Sequence, residues 1–270
     1  MTLDLCDTLA IDVHPQPGVI HLTCSDPTLE TDGRNLVVRA ASDLLLSLAE
    51  GHAMRRAGLS IHLSKRIPTG GGLGGGSADA AYTLMGVNEL LGLGVEGGRL
   101  AELAGGLGSD VAFFLAGPSA LCTGRGEVVQ RLGGGRLTMA ALLALPGTGM
   151  PTPAVYREFD RLGLGSVLPP AGEELARYEA MAGLPAEELL PRLVNDLEAP
   201  AFALSRELAE LRGKLERAFG RPVRMSGSGS TLFTLFDNIS EADLAAKRFP
   251  SEDGVRLLAV KLCPVHHRVE

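Results

Sequence analysis

Six of the seven residues from Gly70 to Gly76 are glycine, interrupted only by Leu73 and followed by Ser77. Residues without a Cβ let successive backbone N–H groups converge on one anion, and a helix opening behind them adds the positive end of its dipole. A phosphate group is the anion such a cradle suits. Two other readings stand beside it. A flexible linker is one, although a linker has no need to join a strand so closely to a capped helix. A dinucleotide fingerprint is the other, because Gly70, Gly72 and Gly75 satisfy G-x-G-x-x-G. In a chain this rich in glycine that spacing arises easily, and Lys65 to Thr69 separate the preceding strand from the loop. No Lys-Ser/Thr follows the last glycine, so the run is not a P-loop. Lys65 could supply the missing positive charge, or could simply end a strand in solvent.

Asp110 is the second group with chemistry to offer. It follows Gly108-Ser109 and precedes the apolar Val111 to Leu115, a setting that also suits a plain helix N-cap. As a catalytic group it would orient a hydroxyl and accept its proton, which is nearly all that phosphoryl transfer asks beyond positioning and charge stabilisation. A second glycine loop, Met225-Ser226-Gly227-Ser228-Gly229-Ser230, offers further backbone donors, or is an ordinary turn.

Elements with matching periodicity must hold these groups in place. Thr8 to Val13 and Val19 to Cys24 partly alternate, broken by Pro15 and Pro17, and predict a hairpin or meander. Asn35 to Leu48 has helical apolar spacing and opens on an Asn suited to an N-cap. Leu59 to Ser64 alternates strictly and predicts a half-buried strand with His62 on its polar face. A helix is expected from near Ser77 to Leu91, a second over Leu100 to Leu107, and a strand and turn over Ala120 to Arg131. Leu137 to Leu145 reads as a buried strand. The Pro- and Gly-rich stretches 146–153 and 163–172 put a domain boundary near Pro146, giving domains 1–146 and 147–270. Beyond it, Glu173 to Ala182, Pro185 to Leu193 and Ala201 to Phe219 predict helices, and Thr231 to Phe236, Glu241 to Phe249 and Val255 to Cys263 a strand–helix–strand ending. The expected class is α+β in two lobes.

Composition narrows the function classes. With 270 residues, 45% of them apolar, the chain can bury a real core. Lysine and arginine number 25 against 32 acidic residues, a net charge of -7, which argues against nucleic acid as a main partner. No apolar run approaches the roughly 18 residues a membrane helix needs, and no leader pattern is seen; the expectation is a cytoplasmic, soluble protein. The 35 glycines are about twice the usual share of roughly 7%. The cysteines, Cys6, Cys24, Cys122 and Cys263, stand far apart, so neither disulfides nor a zinc site is expected. The sequence does not specify an oligomeric state.

Taken together, Lys65-Arg66-Ile67-Pro68 through Ser77-Ala78-Asp79-Ala80-Ala81 resembles the phosphate-binding motif of the GHMP kinases. The likeness extends through Asn35 to Ala41, Leu107 to Val111, Asn195-Asp196-Leu197-Glu198 and Met225 to Ser230. Five motifs in family order cover nearly the whole chain. The wording is closest to the branch that uses ATP to phosphorylate the 2-hydroxyl of a cytidine diphosphate-linked methylerythritol in non-mevalonate isoprenoid biosynthesis. The resemblance implies an S5-like N-terminal domain and a ferredoxin-like C-terminal domain, with the site in the cleft. It also implies that Gly70, Gly71, Gly72, Leu73, Gly74, Gly75, Gly76 and Ser77 embrace the ATP phosphates. Asn35 and Lys65 would lie on the adenine and ribose side, and Asp110 would be the catalytic base or hydroxyl orienter. Thr152, Tyr156, Gly227, Ser228 and Gly229 would hold the substrate, with Tyr156 either stacking on the cytosine or packing at the domain joint. Asn195 and Asp196 fall between structural hydrogen bonding and site support. Mg²⁺ would accompany ATP, its protein ligands unspecified. Another small alcohol as acceptor, a noncatalytic nucleotide-binding relative and a nicotinamide oxidoreductase are the competing functions.

One departure stands out. Members of that branch carry an Ala-Lys-x-Asn-Leu strand and then an Asp-Gly-Tyr-His segment, and Met1-Thr2-Leu3 aligns just after both. The lysine polarises the hydroxyl, and the Tyr and His grip cytosine. Either the coding sequence begins upstream of Met1 or part of the substrate site is missing. The expectation for the chain as written is nucleotide binding with poor phosphoryl transfer, since a cation beside Asp110 would be lost.

Overall fold

The structure is a computed structural model that describes residues 1–133, 138–165, 171–249 and 254–263, the side chains of 171–174 and 263 excepted. The described chain divides into two compact units. One comprises Met1–Leu5, Pro68–Leu73 and the described residues from Leu132 on; the other comprises Cys6–Ile67 and Gly74–Arg131. The division expected at Pro146 therefore differs from the one observed. The reason is the strand before it, Ala140–Leu145, which is buried throughout and pairs with Leu232–Phe236 on one side and Arg256–Cys263 on the other, so it belongs with the C-terminal residues.

In the unit that holds Cys6–Ile67 and Gly74–Arg131, β2 (Thr8–His14) pairs antiparallel with β4 (Gly58–Ser64), and β3 (Ile20–Cys24) pairs with β4 in parallel. The sheet order is β2-β4-β3. The expected hairpin between β2 and β3 is thus corrected: β4 lies between them. Its buried Leu59, Ile61 and Leu63 make it the strand that gains most from the centre. Gly58 allows this insertion, because a Cβ there would lie 2.3 Å from the Gln16 carbonyl oxygen. The exposed His62 is bonded through Nδ1 to Thr23 Oγ1 at 2.8 Å. Four helices complete the unit: α1 (Leu36–Leu46), α2 (Gly75–Leu90), α3 (Gly97–Leu107) and α4 (Val111–Ala116). Val37, Ala41 and Leu44 of α1, Ala80, Leu84 and Val87 of α2, and the β4 triplet share one core. A hairpin of β5 (Ala120–Thr123) and β6 (Val128–Arg131) ends the unit, and a 3-10 turn over Ala53–Arg56 precedes β4.

The other unit is a five-stranded antiparallel sheet in the order β1-β10-β7-β9-β8. Its strands are β1 (Thr2–Leu3), β7 (Ala140–Leu145), β8 (Arg224–Met225), β9 (Leu232–Phe236) and β10 (Arg256–Cys263). Every residue of β7 is buried, as its unbroken apolar sequence requires at the middle of a sheet. Leu137, where that strand was expected to begin, and residues 166–170 of the Pro- and Gly-rich stretch lie outside the described residues. Between β7 and β8 run α5 (Thr152–Arg161), α6 (Ala171–Ala182), α7 (Ala186–Leu189) with a 3-10 turn over Leu190–Arg192, α8 (Glu198–Leu204) and α9 (Arg206–Phe219). α10 (Ile239–Arg248) joins β9 to β10. Counting from β7, the sequence strand–helices–strand–strand–helix–strand in the order β10-β7-β9-β8 is the split βαβ, ferredoxin-like arrangement. The single helix expected over Ala201 to Phe219 is two. Ser205 is extended (φ -134, ψ 103), and its hydroxyl accepts from the Leu208 amide to start α9 afresh.

Candidate active site

Gly70–Leu73 belongs to the sheet-bearing unit, where a second glycine loop braces it. The Ser226 hydroxyl donates to the Gly72 carbonyl at 2.8 Å, and the Thr231 amide donates to the Gly71 carbonyl at 3.1 Å. Gly72 is left-handed (φ 73), and a Cβ on it would fall 2.2 Å from the Ser226 carbonyl oxygen. Only glycine fits that place. Leu73, the one side chain in the run, packs into the core formed with Leu143, Leu235 and Val260. It is an anchor for the loop.

The second loop is itself held from α8. The Asn195 side-chain amide donates to the carbonyls of Met225 (3.0 Å) and Gly227 (2.8 Å) and accepts from the Leu197 amide. Glu198, nearly buried, accepts from the Met225 amide at 2.8 Å, with the guanidinium groups of Arg212 and Arg224 at 3.7 and 3.8 Å. Asn195 is therefore a structural brace for the loop. Sequence reasoning left Glu198 without a role, although it ends the Asn-Asp-Leu-Glu motif. Thr152 Oγ1 and Ser228 Oγ are 2.8 Å apart, which brings two of the expected substrate-binding residues together. Tyr156, one turn further along α5, is 52% exposed, so its ring is not packed away.

Gly74–Ser77 belongs to the other unit, together with Asn35, Lys65 and Asp110. α2 begins two residues earlier than its sequence implied, at Gly75, so the last glycines of the run are the helix's first turn. Gly74 caps it in a left-handed conformation (φ 68) and has no side chain to bond the first amides. There is also no acidic residue in the first turn to answer the dipole. An anion is the natural partner for such an end. Gly74 lies against Phe114 of α4, where a Cβ would stand 3.0 Å from the ring. α4 is the helix that Asp110 precedes.

Asp110 takes the N-cap position of α4, but its side chain makes no capping bond. The carboxylate is exposed. Its backbone is pinned from outside: Gly126, in the β5–β6 turn, lies so close that a Cβ would be 2.8 Å from the Ser109 carbonyl oxygen. A carboxylate free of a structural bond, on a backbone held in place, is open to a hydroxyl.

Two expected nucleotide residues are tied into the protein itself. Asn35 is the N-cap of α1: its Oδ1 accepts from the Val37 amide and its Nδ2 donates to the Glu30 carbonyl at 2.7 Å, so both ends of the amide are engaged. Lys65 corrects one of the two sequence alternatives, the solvated strand end. Its side chain is only 8% exposed, and its ammonium bonds Asp7 and, at 2.8 Å, Asp79. Burial alone would lower its pKa, but the bonds to the two carboxylates outweigh that and the net shift is upward. Burial pushes the Asp79 carboxyl up; Lys65 pulls it back and Asp7 opposes that pull, leaving it at about 6. Asp7 carried no signal in the sequence, and Asp79 stood there only within the glycine motif, because their relation to Lys65 spans 58 and 14 residues.

Among the described residues no group of three or more His, Cys, Asp or Glu is arranged to hold a metal ion. No described helix is long and apolar enough to cross a membrane.

Comparison with known proteins bears on both units. The GHMP kinases N terminal domain matches residues 35–118, and the GHMP kinases C terminal domain matches residues 180–255. The 4-diphosphocytidyl-2-C-methyl-D-erythritol kinase of Synechococcus sp. (strain JA-3-3Ab) is 39% identical over 257 residues, covering 91% of this chain and 81% of that protein. The kinase of the same name from Geobacter sp. (strain M21) is 37% identical over 262 residues, covering 96% and 87%. A crystal structure of 4-(cytidine 5'-diphospho)-2C-methyl-D-erythritol kinase superposes with a TM-score of 0.67 at 36% identity, covering 96% of this chain and 87% of that one.

Proposed function

The chain belongs to the GHMP kinase family, and from that premise we propose that it is an ATP-dependent kinase for the 2-hydroxyl of 4-diphosphocytidyl-2-C-methyl-D-erythritol. Relatives that share most of its length are named as kinases of that compound. The observation that carries the chemistry is Asp110, a carboxylate with no capping bond, whose helix packs through Phe114 on the residue that opens α2.

In this reading Gly70 to Ser77 bind the ATP phosphates through backbone amides. Asp110 accepts the proton of the substrate hydroxyl as that oxygen bonds to the γ-phosphorus; the bond from the γ-phosphorus to the β,γ-bridging oxygen breaks and ADP leaves. Thr152 and the Gly227-Ser228-Gly229 turn hold the substrate, and the open ring of Tyr156 stacks on its cytosine. Asn35 and Lys65 support the nucleotide side from behind: one by starting α1, the other from beneath α2. Mg²⁺ neutralises phosphate charge when it arrives with ATP, and Mg²⁺ in kinases rests on one or two carboxylates plus phosphates. A cytoplasmic setting, where ATP is supplied, goes with this reading.

The test is a product assay. The chain is incubated with ATP, Mg²⁺ and, in separate reactions, 4-diphosphocytidyl-2-C-methyl-D-erythritol, homoserine or mevalonate, and phosphorus NMR follows a new phosphomonoester. The reading predicts product with the cytidyl substrate alone. Product with another alcohol in its place would redirect the assignment within the family.

A further inference from the structure

Beneath the first turn of α2 lies a buried cluster that the proposed chemistry does not use. The side chains of Asp7, Lys65 and Asp79 are 3%, 8% and 6% exposed, one cation between two carboxylates. Each comes from a different segment: Asp7 from the approach to β2, Lys65 from the end of β4, and Asp79 from the second turn of α2. Asp7 also accepts from the amides of Arg66 (2.5 Å) and Ile67 (2.9 Å), so it fixes the backbone on which Lys65 stands. Lys65 then reaches up to α2. A Cβ on Gly75 would lie 3.3 Å from its ammonium nitrogen and 2.9 Å from Ile67 Cγ2. The cluster therefore sits directly against the residue that begins the helix.

Buried ion pairs are poor stabilisers compared with well-packed apolar groups, because desolvation offsets most of the attraction. An excess buried carboxylate makes this cluster costlier still. What a charge-assisted bond does supply is fixed geometry. We propose that Asp79, through Lys65 and Asp7, is a positioning residue for phosphate binding: it fixes where the first amides of α2 stand without touching the nucleotide. The inference rests on the reading of that helix end as a phosphate site.

The experiment compares ADP and adenosine binding by calorimetry, below the melting temperature of every variant. Asp79→Ala cuts the tether but leaves Lys65 paired with Asp7, so the chain keeps a neutral pair and folds. ADP binding is expected to weaken about tenfold while adenosine binding changes less than about twofold, since only the phosphates feel the helix end. Asp79→Asn, which still offers Lys65 an oxygen, is expected to recover most of the loss. ADP affinity unchanged in Asp79→Ala, equal losses for ADP and adenosine, or no recovery in Asp79→Asn would each overturn the proposal. A wild-type chain that binds no ADP would overturn the phosphate-site reading itself, and the proposal with it.

Discussion

The two glycine loops of this chain have similar composition but differ in how far their polar groups are already bonded. In Met225 to Ser230 many of the polar groups are already engaged: Asn195 donates to two carbonyls, Glu198 accepts from an amide, and Ser226 is tied to Gly72. The stretch Gly74–Ser77 opens a helix with no capping side chain and no acidic neighbour in the first turn. Glycine serves the first as a way to fit tightly against other backbone, and serves the second as a way to leave amides uncovered. One loop is a frame; the other is where an anion gains most.

Substitutions that add a single methyl group expose that contrast most sharply. Gly72→Ala places a Cβ 2.2 Å from the Ser226 carbonyl oxygen at a left-handed φ. Clash and backbone strain together are expected to cost about 3 kcal/mol or more, read as a fall in the denaturation midpoint. Gly76→Ala meets nothing closer than Leu36 Cδ1 at 3.8 Å and improves helix propensity, so stability is expected to hold or rise by up to about 1 kcal/mol. ATP affinity is expected to fall all the same, because the exposed methyl stands over the first turn. If Gly76→Ala binds ATP unchanged, the contrast between frame and cradle fails.

Proton linkage separates the buried cluster from the rest of the unit. The Asp79 carboxyl is raised by burial from 3.8 to about 6 in the folded chain. A carboxyl raised on folding contributes stability below its unfolded pKa and loses it as pH climbs through its folded one. From pH 4 to 6 the wild type should therefore lose up to about 3 kcal/mol through this group. The difference between wild type and Asp79→Asn, followed by denaturation across that window, isolates the effect from the exposed carboxylates. A flat difference would show that Asp79 is ionised normally.

Smaller effects are expected around the frame. Asn195→Ala leaves the Met225 and Gly227 carbonyls without their donor, at about 1–3 kcal/mol, and should raise the Michaelis constant for the alcohol more than that for ATP. Ser205→Ala removes the cap that restarts α9, at about 1 kcal/mol.

Much of this architecture was legible in the residues themselves. The helices expected over Asn35 to Leu48 and from near Ser77 to Leu91 follow from periodicity, and the strand ending at Leu145 from its unbroken apolar run, all of which the core then uses. Local patterns do not encode partners far along the chain, and the differences lie there. β4 entered between β2 and β3 because burial favours it at the centre, which no property of the two outer segments reveals. Lys65 could be read as a charge for the cradle or as a solvated strand end, and neither showed the pairing with Asp7 and Asp79 that buries it. Asp110 is the converse case: its type and context fitted a cap as well as a base, and it stands at the N-cap position without a capping bond.

The central claim is that Asp110 handles the proton while the glycine run holds the phosphates, so the two functions should separate in one variant. Phosphoryl transfer and ADP affinity are to be measured side by side for Asp110→Asn. ADP should bind within about twofold of wild type while turnover falls by about 10² to 10⁴. Turnover close to wild type in that variant would contradict the account.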